Sequence, residues 1–82
     1  MEWVTPLGMI VRVGQVWRDR DKRSLSGRRH CIVTALVEKH GQPAAKMASC
    51  RPDGTGRSDF GSVTVLVRRM HPGWAFAGVV QP

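Results

Sequence analysis

The chain has 82 residues, 41% of them hydrophobic, and sets 13 Lys and Arg against 6 Asp and Glu for a formal charge of +7. That length supports one domain, the apolar fraction excludes a disordered chain, and no apolar run approaches the roughly 20 residues that span a bilayer. The opening residues lack the basic and apolar segments of a secretory signal, so the composition predicts a soluble, cytoplasmic protein.

Residues 1–8 carry Pro6 and Gly8 and read as a flexible N-terminal extension, with an edge strand through Trp3 and Val4 as the other reading. Residues 9–82 form the domain. No stretch of a dozen residues keeps helical apolar spacing without Gly, Pro or β-branched interruption. Alternation recurs instead. Met9–Trp17 places Val11 and Val13 on one face, with Gly14 marking a bulge that resets the phase for Val16. A long basic loop follows, Arg18–Arg29, and then Arg29–Glu38 aligns Cys31, Val33, Ala35 and Val37. Lys39–Gln42 makes a short hairpin into a third strand, Pro43–Arg51. Arg51–Ser58 is a turn region around Asp53 and Gly54, a pair that favours positive φ. Ser62–Arg68 aligns Val63, Val65 and Val67. Arg68–Gly73 suits one tight 3-10 turn, and Trp74–Val80 closes the series with Trp74 and Phe76 on one face.

Five short strands, a long first loop, two hairpins and a single turn before the last strand predict an all-β fold, a small five-stranded SH3-like barrel. The segment Val13–Asp19, reading Val-Gly-Gln-Val-Trp-Arg-Asp, is similar to the opening of small uncharacterised actinobacterial or phage proteins. The resemblance runs from Met9 to Val80. It implies the barrel and attaches no chemistry, because the opening is a packing and turn pattern.

The basic loop is the leading candidate site. Arg18, Arg20, Lys22, Arg23, Arg28 and Arg29 hold six of the thirteen cations, and phosphate contacts from such a cluster give affinity without base selectivity. The plainer reading is a solvated loop, part-neutralised by Asp19 and Asp21. Trp17, where the first strand meets the loop, is the ring best placed to serve as a platform for base stacking, although core or rim packing is the reading favoured for it. Phe60 is the second candidate ring. Arg51, Arg57, Arg68 and Arg69 make a further basic set. The distal hairpin region of Arg51 and Arg57 is expected to lie apart from the first loop in an SH3-like arrangement, while Arg68 and Arg69 can join either surface.

Two cysteines admit two hairpin registers. One faces Cys31 with Cys50 but turns Lys46 toward the apolar face. The other pairs Val33 with Met47 and Ala35 with Ala45, seating Cys31 beside Ser49. Burial of the apolar face favours the second, so free thiols are expected. Three isolated histidines and two cysteines lack metal-ligand spacing. No serine or carboxylate pair has a catalytic setting, and no cofactor motif appears. The sequence therefore predicts a non-enzyme. Its first reading is a nucleic-acid-binding module. The alternative is a protein-interaction module, such as a phage or mobile-element accessory protein docking on a host or phage protein, with Ile32, Leu36 and Leu66 as an exposed patch. Either a monomer or a homodimer fits.

Overall fold

The computed structural model describes residues 2–20 and 29–79, the side chains of residues 59–61 excepted. The protein is all-β. Its strands are β1 (Trp3–Val4), β2 (Ile10–Val11), β3 (Gln15–Asp19), β4 (His30–Lys39), β5 (Gln42–Cys50), β6 (Ser58–Leu66) and β7 (Trp74–Val79). A turn of 3-10 helix, Val67–Arg69, lies between β6 and β7. No helix among the described residues is long and apolar enough to cross a membrane.

The N-terminal residues take up the strand. Trp3 pairs with Val11 and Val4 with Ile10 in a two-stranded sheet. The loop between them is held by Thr5, whose backbone and hydroxyl both bond Met9 and which is itself buried. Gly14 does not bulge a continuous first strand; it ends one. Its φ of +94°, open to glycine at little cost, turns the chain so that the Gln15 amide donates to Arg12 O. Val11 is buried, whereas Val13, expected on the same face, is exposed.

The remaining strands form one antiparallel sheet in the order β6-β5-β4-β3-β7. It is not a closed barrel: β6 pairs with β5 and β7 with β3, which leaves both as edges among the described residues. Closure is unnecessary because other segments cover the core face. Val11 from β2, with Val67 and Met70 from the 3-10 turn and the residue after it, packs over Trp17, Cys31, Val33, Ala45 and Met47. Val63 and Val65 flank the cluster, in phase with Val67 as their alternation requires.

Both registers weighed for the β4–β5 hairpin occur. At one end Cys31 pairs with Ser49 and Val33 with Met47; at the other Leu36 pairs with Ala45 and Lys39 with Gln42. An irregularity between Val33 and Ala35 joins them. The two-residue turn at His40 and Gly41, both at positive φ, sets the second register. Burial of Val33 against Met47 sets the first. The extra residue flips the phase of β4, so Ala35 and Val37 leave the face of Cys31 and Val33, and Leu36 joins the core instead. Lys46 stays exposed, and both thiols are free.

Candidate functional site

Successive antiparallel neighbours return the chain to the same end of a sheet at every second connection. The strands β3, β4, β5 and β6 are such neighbours. The connection after Asp19 and the connection after Cys50 therefore leave from one end, where Arg18, His30 and Cys50 form a row across the strands. The start of β7 joins them, since Trp74 pairs with Asp19. Arg51 and Arg57 thus lie at the same end as Arg18, Arg20 and Arg29, which corrects the expectation that the two loops stand apart.

Arg69 joins this end as well. Its carbonyl accepts from Gly73 N at 2.8 Å, and Gly73 O accepts from Arg20 N at 3.1 Å. The Arg20 guanidinium donates through Nη1 to His71 O at 2.7 Å. The chain before β7 is thereby laced to the root of the basic loop. Arg29 is half-buried and donates through Nη2 to Ser49 Oγ at 3.4 Å. Arg18, Arg20, Arg51, Arg57 and Arg69 are exposed. Lys22, Arg23 and Arg28 lie outside the described residues, as does the side chain of Phe60.

The turn after β5 is ordered by its own carboxylate. Asp53 accepts from the Thr55 amide at 2.9 Å and from the Thr55 hydroxyl at 2.6 Å. Those two bonds, with Arg51 nearby, hold its carboxyl below the ordinary range. The backbone of Arg51 closes the turn by donating to Thr55 O at 2.8 Å. Adjacent strands step about 4.8 Å apart, so five of them make this end roughly 20 Å wide. It is wide enough to meet several charged groups of one extended ligand at once.

Trp17 is not a stacking platform. It is fully buried, its indole N–H pointing to Gln15 Oε1 at 3.4 Å. Its ring is met edge-on by His71 at 5.2 Å and by Phe76 at 5.5 Å. The reason is its place in the sheet: β3 is flanked by β4 and β7, and Gln15, Val16 and Trp17 are all buried although consecutive side chains face opposite ways. Among the described aromatic side chains the exposed ring is Phe76, 41% accessible on the edge strand. The period-two pattern of β7 puts Phe76 beside Trp74 but does not say which of them the core covers; Trp74 is the covered one.

The proposed apolar patch is also altered. Leu36 packs on the core, while Ile32 and Leu66 are half-buried. At the hairpin end a cleft of about 260 Å³ opens between Val4–Pro6, Gln42–Pro43 and Val67–Arg68. That is below the usual range for small-molecule sites of roughly 300–1,000 Å³. Among the described residues no His, Cys, Asp or Glu cluster is placed to hold a metal. Burial raises the Cys31 thiol pKa, an effect opposed by the neighbouring Arg29 and Ser49. Such a thiol stays protonated and unreactive at neutral pH. Compared with known proteins, the chain matches no protein-family model, no curated protein and no solved structure.

Proposed function

We propose that this protein is a small non-enzymatic binding module that holds nucleic acid by its phosphates, through the arginine-bearing end of the sheet. The observation that carries the reading is the convergence of Arg18, Arg20, Arg29, Arg51, Arg57 and Arg69 from four separate segments onto that end. Its six arginines stand against three acids on described backbone, Asp19, Asp53 and Asp59, of which Asp53 is engaged by Thr55. We read the sheet, with its last strand returned beside its first long one, as an opened SH3-like barrel. That architecture offers loops and edges for binding and does not itself fix the ligand.

Fluorescence anisotropy with labelled DNA and RNA oligonucleotides, titrated with salt, tests the reading. Affinity should fall linearly on a log–log plot as salt rises. Replacing Arg20 and Arg57 together by Ala, on different connections, should weaken all sequences alike and reduce the slope by about two. Affinity that holds constant from low to moderate salt removes the proposal. A second reading, strand addition by a protein partner, draws on the apolar edge strand with Phe76 and Val79 exposed. It predicts a complex that survives nuclease and high salt.

A further inference from the structure

We infer that the nucleic acid is bound single-stranded, with one base stacked on Phe76. This rests on the phosphate-binding reading above and adds the ligand's strandedness. A duplex hides the faces of its bases, whereas an unpaired strand offers each as a stacking surface, so an accessible ring beside phosphate-binding cations selects the unpaired form. Among the described aromatic side chains Trp17 and Trp74 are buried, Trp3 is half-buried, and Phe76 alone is exposed.

Three features make Phe76 a platform and not simply an uncovered ring. It is held: its ring meets Trp17 at 74°, and Trp17 is fixed in turn by Gln15 and His71. A ring already oriented loses little freedom when a base lands on it. It has room: its neighbours along β7 are Ala75, Ala77 and Gly78, and β7 is an edge with no strand beyond it among the described residues. It is near cations: Arg20 and Arg69 both meet Gly73, three residues before it in sequence. At about 3.3 Å per residue that is roughly 10 Å, within reach of a few nucleotides of one extended strand. No charged side chain lies between Trp74 and Val79, so a phosphate chain passing along this edge meets no acid there.

The test compares a labelled oligothymidine with a hairpin duplex of the same charge, at one salt concentration, for the wild type, Phe76→Leu and Phe76→Trp. The wild type should prefer the oligothymidine. Phe76→Leu keeps apolar bulk but loses the ring. It should weaken oligothymidine binding by about 5- to 150-fold while leaving duplex binding and the salt slope unchanged. Phe76→Trp should retain the affinity and show indole quenching on binding. Thermal unfolding of both variants separates a lost ring from a lost fold, and with Leu unfolded the Trp variant still decides through its quenching. Equal affinity for the two ligands, Leu binding oligothymidine as the wild type does, or Trp binding without quenching overturns the inference. Arg20 and Arg57 replacements that weaken neither ligand would instead remove the reading beneath it.

Discussion

Gln15 ties three pieces of backbone and ring together with one buried amide. Its Oε1 accepts from Arg12 N and from the Trp17 indole, and its Nε2 donates to Ile10 O. A buried amide persists because its partners would otherwise lose their bonds to water without replacement. This explains why the Val13–Asp19 opening contains a polar residue between two apolar ones: the residue splices β2 to β3. The cysteines are the opposite case, two polarizable groups with no joint task. Cys31 faces Ser49 on the core side, while Cys50 faces His30 on the other side. Burial raises both thiols above their ordinary value of 9.0. At pH 8 an alkylating reagent followed by mass spectrometry should therefore label Cys50 first and slowly. Cys31 should label only on unfolding. Equal labelling rates, or a Cys31–Cys50 disulfide formed without denaturant, would contradict this arrangement.

Elements were legible where their pattern was local. Val63 and Val65 announce a half-buried strand, although it ends at Leu66 and Val67 opens the 3-10 turn, and His40 with Gly41 announces a tight hairpin. What escaped was where local demands collide. The turn asks for one pairing of β4 with β5 and the core for another, and the sequence does not show that a bulge after Val33 grants both. Core packing is the reading the sequence favours for Trp17, and the structure agrees; that Gln15, Val16 and Trp17 are all buried follows from the neighbours β4 and β7, and alternation within β3 cannot reveal it. The turn from Arg51 to Arg57 makes a separate, titratable claim. Asp53 has a folded pKa below its ordinary value of 3.8, through its two bonds from Thr55. Its contribution to turn order is thus present above that value and is lost as pH falls through the lower, folded pKa. The Thr55 amide resonance should shift with a midpoint below 3.8, and Asp53→Asn should abolish that shift. A midpoint at or above the ordinary value would show the turn bonds to be absent in solution.

The whole molecule is small enough that single core positions matter greatly. At roughly 0.05–0.15 kcal/mol per residue, a chain of this length has about 4–12 kcal/mol of stability to lose. Met47 is fully buried at the centre of the cluster, and truncating such a side chain costs about 2–5 kcal/mol. Met47→Ala should lower the melting temperature by at least about 8 °C; a smaller shift in calorimetry would mean a looser core than the one described. The formal charge of +7 was plain in composition, but its gathering depends on strand parity, which a run of residues does not display. The Arg51–Arg57 turn lies at the same end as Arg20 only because two strands intervene between the connections that carry them.

The hairpin at His40 and Gly41 closes the far end of the sheet, a full strand length from Arg18, Arg29 and Arg51. Its exposed side chain and tight two-residue loop make it a natural handle. A dye, a biotin or a solid support attached through position 40 leaves the cationic end turned outward, free to meet whatever is offered in solution.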